Sequence, residues 1–483
     1  MQVRNSGYSN HGASRSKVSL VNWYADSKSP HEDISENLDI LRRRSRDLYS
    51  GGGPLGRGAI DRIVLNAVGN GLRLNVRIDP ELLNMSESDS RKWASQVEAI
   101  FDNWASSKQA SYDRALNFYE MQNVALKSVL LDGDCFVLLR SDYDGLKLQL
   151  IEGERVQTPT GTERVSGVMI DEGIELDSEG KPAAIYVANR NPESEIINQP
   201  ALKYSRIPYY GEFSLEPQII HLMNPERINQ RRGVPLLSPV IELLKQLSRY
   251  TEAELMAAVV SGIYAIFFEH EQRESGAIGS EEYASEEGFG GLEGLENITQ
   301  RELYGTIMDL PEGVHANALS PGRPNQNFNA FIESLVRQVG GCLGIPSEVL
   351  LLHFTSSYSA SRGALLEAWK VFKYWRKWFS DNFCQPVYEN WLDGILWLDS
   401  ELGRNYRENY NKRKIYTWAS WTGPSQGQLD PVKEVNAAVL RVKNGFSTYQ
   451  RETGELTGED YDLNIQQLKR EELLRSVQGT DQE

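Results

Sequence analysis

Apolar side chains recur along this sequence at two spacings, about 3.6 residues for helices and two for strands, and the changes between them mark its regions. Helical spacing comes first. Leu38–Leu48 is a basic helical stretch halted by Gly51-Gly52-Gly53-Pro54. Ala59–Val68 then carries Ile60, Ile63, Val64 and Ala67 before Gly69-Asn70-Gly71 ends it. Ser86–Trp104 and Asp113–Leu130 are predicted helices, with Trp93, Val97, Ile100 and Trp104 on one face of the former. Strand patterns follow. Cys135–Leu139 is a short apolar run, and Leu146, Leu148 and Leu150 alternate with polar residues. Gly167–Ile170, Ala184–Val187 and Ile219–Leu222 complete a predicted β-rich subdomain over about 131–222.

Helices return at Pro235. Leu236, Val240, Leu243, Leu247 and Tyr250 form one stripe, with Leu237, Ile241 and Leu244 beside it. Pro235 suits a first helical turn, and Pro239 stands at the limit of that allowance, so the regular helix is predicted to begin as late as Pro239. From Pro235 to Ser261 such a helix would run roughly 40 Å, a strut rather than a core element. An acidic, glycine-rich run over 269–297 follows and reads as a solvated loop. Phe328, Phe331, Ile332, Leu335, Val336 and Val339 then define a second helix, ended by Gly340-Gly341 and Gly344. A third runs from about Ala360 to Phe383, with Leu365, Trp369, Phe372, Phe379 and Phe383 on one face. Asp430–Lys443 and the tail from Asp462 are also helical in pattern. Residues 1–35 are Ser/Asn/Gly-rich, unperiodic, and predicted to form a mobile arm.

A chain of 483 residues admits several domains and a sizeable core. It has no run of about 18 apolar residues, so no membrane span is predicted. The polar N-terminus lacks the apolar segment of a secretory signal. Cys135, Cys342 and Cys384 lie far apart beside apolar residues, the pattern of reduced, core-filling thiols in a cytosolic setting. A net charge of −16 is at odds with a protein that grips DNA phosphates over its whole surface, which needs clustered Lys and Arg.

Catalytic patterns fail on inspection. Gly51-x-x-x-x-Gly56 lacks the Lys-Ser/Thr pair of a phosphate loop and holds Pro54 inside it. Ser14-x-x-Lys17 sits in a polar tail that cannot lower a lysine pKa by burial. His270-Glu271 has no second histidine at metalloprotease spacing. His221 reads as a core or capping residue, Asp132 and Asp134 as turn chemistry. His353, between Leu352 and Phe354 in a loop, is the histidine best placed for a role. Trp369, Phe372, Tyr374, Trp375, Trp378, Phe379, Trp391 and Trp397 have the helical spacing of packed cores and subunit faces rather than of a base-stacking platform. No nucleophile, base and orienting group come together, so no catalytic residue, cofactor or metal is expected.

The order of several segments carries a resemblance: Arg42–Leu48, Asn66–Leu72, Gly133-Asp-Cys-Phe-Val137, Leu148–Glu152, Gly173–Asp177 with Gly180-Lys-Pro182, Ile220-His221 to Pro235, Leu343-Gly-Ile-Pro346, and Trp421-Thr-Gly-Pro424 with Asp430–Glu434. Over roughly 40–475 the chain resembles the portal proteins of tailed bacteriophages, specifically the lambda-type family. The acidic segment 272–297 has no residue-by-residue counterpart in that pattern. The resemblance implies an α+β portal fold with wing, two-helix stem, clip and mainly helical crown. It places the wing at 36–235, stem helices at 236–262 and 322–345, and the clip at 263–321. A tunnel loop would span 346–360, the wing helix and its return 361–430, and the crown 431–483.

The same resemblance implies a ring, usually a dodecamer, at one vertex of the virion capsid, made in the host cytoplasm. Double-stranded DNA would pass through it non-specifically during packaging and ejection. Its partners would be the terminase large subunit, which hydrolyses ATP in its stead, head-completion or adaptor proteins, and the major capsid and scaffolding proteins. Leu350, Leu351, Leu352, His353 and Phe354 would approach the DNA; tucking of those leucines into the wing is the competing reading. Glu281, Glu282, Glu286 and Glu287 would meet partners on the clip. The rival function is another packaging or head-maturation component with enzymatic activity, which the missing catalytic sets argue against.

Overall fold

Capping residues set where the helices begin in this computed structural model, which describes residues 12–159, 169–192, 194, 200–212, 216–263, 267–270, 314–317, 327–354, 357–398, 402–403, 406, 412–428 and 430–480. Two compact units result, one of residues 1–245 with 335–483, the other of residues 246–334.

In the first unit, α1 (Pro30–Ser35) starts from a capping box: Ser29 accepts from the Glu32 N–H while Glu32 accepts from the Ser29 N–H. The predicted mobile arm therefore ends in a helix. His31 contacts Asp171 at 2.5 Å and Arg227 contacts Asp33 at 3.1 Å, so α1 is tied to the body. Then come α2 (Leu38–Asp47), α3 (Pro54–Ala67), β1 (Arg73–Val76), α4 (Pro80–Leu83), α5 (Glu87–Ser106) and α6 (Phe118–Asp132). The last begins five residues later than the periodicity from Asp113 predicts, because Asn117 and Glu120 form a second capping box. On α5 the buried face is Trp93, Val97, Phe101 and Ala105, whereas Ile100 points outward. A stripe through Phe101 buries more ring surface than one through Ile100, and that decides the rotation.

The β-rich region forms two antiparallel sheets. β2 (Asp134–Asp142) pairs with β3 (Gly145–Glu152) on one side and β8 (Ile219–Met223) on the other. β4 (Met169–Asp171), β5 (Ile174–Leu176), β6 (Pro182–Ala188) and β7 (Tyr204–Pro208) make a second sheet in that order. Phe136, Leu138, Ile151 and Ile219 of the first meet Ile174, Leu176, Ile185 and Val187 of the second in one core.

A 3₁₀ turn over Ser238–Val240 absorbs Pro239, and α7 (Ile241–Ile263) starts only after it. Its 23 residues run about 35 Å. In the second unit, β9 (Phe267–His270) pairs with β10 (Val314–Asn317), and Tyr250 packs against Phe328 and Phe331. The acidic stretch 271–313, with Glu271, Glu281, Glu282, Glu286 and Glu287, lies outside the described residues.

α8 (Phe328–Leu343), α9 (Ser347–Leu351) and α10 (Tyr358–Phe379) follow. A π-turn at Ser380–Cys384 leads into α11 (Gln385–Leu398). α12 (Arg413–Tyr416) precedes β11 (Ala419–Thr422), which returns to pair with β1. α13 (Pro431–Lys443), α14 (Tyr449–Leu456) and α15 (Tyr461–Thr480) close the chain. The aromatic stretch is mainly core, as its spacing predicts. Trp369, Phe372, Trp375, Phe379, Phe383 and Trp391 are buried, while Tyr374 and Trp397 are exposed. Phe101 sits at the centre of the ring cluster, 5.0 Å from Trp391 and 5.7 Å from both Phe118 and Tyr388. Each such ring pair adds about 0.5–1.5 kcal/mol beyond area burial. Cys135 and Cys384 fill core positions, but Cys342 is exposed on α8. No described helix is long and apolar enough to cross a membrane.

Candidate functional site

The segment between α8 and α10 is built by two chain reversals. Val336, Val339, Gly340 and Leu343 bury one face of α8. Gly344, at φ +71°, turns the chain, and the Ile345 N–H returns to the Gly340 carbonyl at 2.9 Å. A Cβ on Gly340 would lie 2.3 Å from the Ile345 oxygen, so only glycine admits this close return. Ile345 is fully buried.

The chain then forms α9 rather than an open loop. The Val349 and Leu350 N–H groups both donate to the Pro346 carbonyl at 3.0 Å. Val349 and Leu350 are buried, and α9 packs on α3 and α10. The helix ends at Leu352 in the left-handed region (φ +52°), with the His353 N–H donating to Glu348 O at 3.0 Å. That reversal throws the following side chains outward. Leu351 is 41% exposed, Leu352 61% and Phe354 44%, and His353 is exposed too. The five residues singled out in the sequence therefore divide: Leu350 is a core residue, and the other four form an exposed apolar cap. Glu348 is the only formal charge from 346 to 361.

A second constellation, missed by the sequence reading, lies where β2 meets the segment before α7. Asp134 is fully buried and serves as counter-ion to two buried arginines, not as a turn residue. It accepts from Arg42 Nη2 at 2.8 Å and Arg232 Nε at 2.6 Å. Burial alone would raise its pKa, but the guanidinium groups of Arg232 and Arg42 outweigh that and hold it well below the usual carboxylate range. Arg232 also donates to the carbonyls of Gly153, Val156 and Glu172 at 2.6–2.8 Å. Asp132, likewise more than a turn residue, pairs with Arg46 at 2.6 Å. His221 is a core residue, as expected. It stacks on Phe136 at 4.0 Å and lies 3.6 Å from Asp134, an electrostatic contact rather than a hydrogen bond. Burial lowers its pKa, against the opposing pull of Asp134.

Glycines allow the two segments to meet. Gly133 ends α6 at φ +89°, and a Cβ there would lie 2.3 Å from Gly233. A Cβ on Gly233 would lie 1.9 Å from the Gly133 oxygen. The Leu236 N–H then donates to Leu130 O at 2.9 Å, which fixes the lead into α7. Arg42, Gly133, Arg232 and Gly233 lie within the segments that carry the family resemblance, and excess arginine at 42–46 and 231–232 in an acidic chain was the available signal. Among the described residues no cluster of three or more His, Cys, Asp or Glu is placed to hold a metal.

The geometry is thus a long helix whose start is anchored by a buried ion cluster, and an exposed cap between two further helices. The description of the phage portal proteins of the lambda family matches residues 17–376, and the chain belongs to that family. Its role is that of a portal protein of a bacteriophage virion. The portal protein of Escherichia phage N15 is 24% identical over 482 residues, covering 95% of this chain and 89% of that one. Portal protein B of Escherichia phage lambda is 24% identical over 485 residues, covering 95% and 88%. Among solved structures, a chain from the virion of a native gene transfer agent particle aligns with a TM-score of 0.46 and 11% identity, covering 86% of this chain and 92% of that one. One from the neck of the native particle aligns with a TM-score of 0.44 and 12% identity, covering 88% and 100%.

Proposed function

We propose that copies of this chain close into a ring, usually a dodecamer in this family, that forms the channel for double-stranded DNA at one capsid vertex. The ring hydrolyses nothing. The terminase large subunit drives packaging against it, and head-completion or adaptor proteins later occupy the same end. In this reading residues 36–235 and 361–430 form the wing, 236–262 and 322–345 the stem, 263–321 the clip and 431–483 the crown. Glu281, Glu282, Glu286 and Glu287 are the proposed docking positions of the clip.

The observation that carries the DNA contact is the exposed cap Leu351, Leu352, His353 and Phe354, mounted on a helix whose other face is buried. DNA must slide while being held laterally, and phosphate pairing strong enough to matter would stall it. Bulk without charge is what such a constriction needs. Negative-stain images of the purified protein test the assembly, with rings bearing a central hole as the expected result. Sedimentation of a stable monomer at every concentration and ionic strength would sink the reading.

A further inference from the structure

The cleft between α10 and the β11–α14 region departs from the acidic character of the chain. It encloses about 960 Å³ and is lined by Arg77, Lys373, Arg376, Lys377, Arg451 and Trp418, among others. Only Asp381 and Glu455 oppose these five bases in the lining. The excess comes largely from α10, which carries five bases and one acid in a protein of net charge −16. Lys370, Lys373 and Lys377 are spaced i, i+3, i+7 and share one face of that helix.

Arg376 is the informative member. Its Nε donates to Ala67 O at 2.9 Å, and its Nη2 to Asn66 O at 2.8 Å and Pro424 O at 2.7 Å. These are neutral acceptors, and no carboxylate pairs with it among the described residues. Burial, with no anion to offset it, lowers its pKa to about 10. Trp369 covers it at 5.6 Å, and a Cβ on Gly423 would come within 2.9 Å of its Nε, so the glycine keeps its seat open. The three carbonyls take up Nε and Nη2 but leave the charge itself unbalanced, and Nη1, which none of them engages, is the edge through which an anion can complete the group. The other bases have neutral or exposed partners. Arg77 donates to Ser420 Oγ at 3.2 Å and to Gln450, Lys373 lies 3.7 Å and Arg451 3.5 Å from Glu455, and Lys377 meets Asp381 at 2.5–2.6 Å in an exposed i,i+4 pair. Such pairs contribute little and exchange readily. Ser420, Thr422 and Gln450 add neutral polar groups around the same space.

We propose that this cleft binds phosphate groups, with Arg376 as the fixed donor and Lys373, Lys377, Arg77 and Arg451 closing on the anion. Guanidinium and ammonium groups converging with hydroxyls suit a multi-oxygen anion better than a single carboxylate. The chemistry is shared by a free phosphate compound and by a DNA backbone segment.

Inorganic pyrophosphate titrated into the full-length protein is the first test, followed by calorimetry and by the fluorescence of Trp369, Trp418 and Trp421, which line the cleft. Saturable binding is expected. Lys373→Gln with Lys377→Gln, both at exposed positions, should weaken it about tenfold, the loss of two exposed ion pairs of ordinary strength. Arg376 supports the fold through α3, so that lysine pair, with an unchanged melting temperature, is the decisive variant. Competition by a short duplex would assign the site to the DNA backbone. Pyrophosphate binding without competition would assign it to a free phosphate compound. No saturable binding, or equal binding by the variant, would overturn the site whether or not the protein forms rings.

Discussion

Asp134 shows how much one side chain can decide. Two buried arginines converge on it, and it has no exposed surface through which water could replace it. Asp134→Asn keeps the shape but leaves Arg42 and Arg232 buried without a counter-charge. The expected loss is about 3–5 kcal/mol, as for breaking a buried pair from one side, measured as a shift in the denaturant midpoint. The pH dependence has a definite sign. A carboxyl whose folded pKa is depressed contributes stability that is present above its unfolded value near 3.8 and is lost only as pH falls through the lower folded value. This group should therefore add no pH slope to stability between pH 5 and 8, and the gap between wild type and variant should close only in strong acid. A gap that closes by pH 5 would mean Asp134 is not the counter-ion of both arginines.

Whole elements respond in the opposite sense where β1, α5 and the C-terminal helices meet. Glu98 on α5 accepts the Val76 N–H of β1 at 2.7 Å. Burial is the largest influence on it, reinforced by Asp460 and Asp462 and opposed by that N–H and by Arg77, and together they push its pKa up to about 7. A carboxyl raised from 4.5 in the unfolded chain gives its full contribution below 4.5, and that contribution declines as pH rises towards 7, by up to about 3 kcal/mol. Glu98→Gln keeps the acceptor and removes the charge. It should be more stable than wild type at pH 8 and should lack the decline, a result read from urea midpoints at pH 5 and 8; an undiminished decline would assign the titration elsewhere. Elements of this kind were unevenly legible in the sequence. Helices with a full apolar stripe, such as those through Ile60 and Trp369, could be read from spacing alone. The residues 346–360 read as a loop, since one turn of Leu350-Leu351-Leu352 has no period of its own and its burial depends on α3 and α10. The Gly133–Gly233 crossing was out of reach for a related reason: two glycines a hundred positions apart have no spacing to read, only a shared need for backbone contact.

At the scale of the molecule, the division of the apolar cap is the feature that bears on the channel. Shortening 349–356 would conflate two effects, because Val349 and Leu350 are buried in the core while Leu351 to Phe354 are not. The separable experiment compares two variants. Leu350→Ser removes a buried side chain and places a hydroxyl in its cavity, so it should destabilise the protein by about 2–5 kcal/mol, seen as a lower melting temperature before any ring forms. Leu351→Ser with Leu352→Ser and Phe354→Ser changes only exposed side chains, and at Leu352, the left-handed C-cap of α9, serine is no more strained than leucine, so stability should shift by little, within about 0.5 kcal/mol per site. If the cap lines the narrowest part of the proposed channel, this triple variant should assemble rings indistinguishable in images from wild type. It should then package less DNA or lose it from filled heads, because three apolar contacts per subunit have been replaced by small hydroxyls. The effect should be weakly dependent on salt, unlike one carried by phosphate contacts. Normal packaging and retention by the triple variant would show that the cap faces protein rather than DNA, and would move the constriction to another part of the ring.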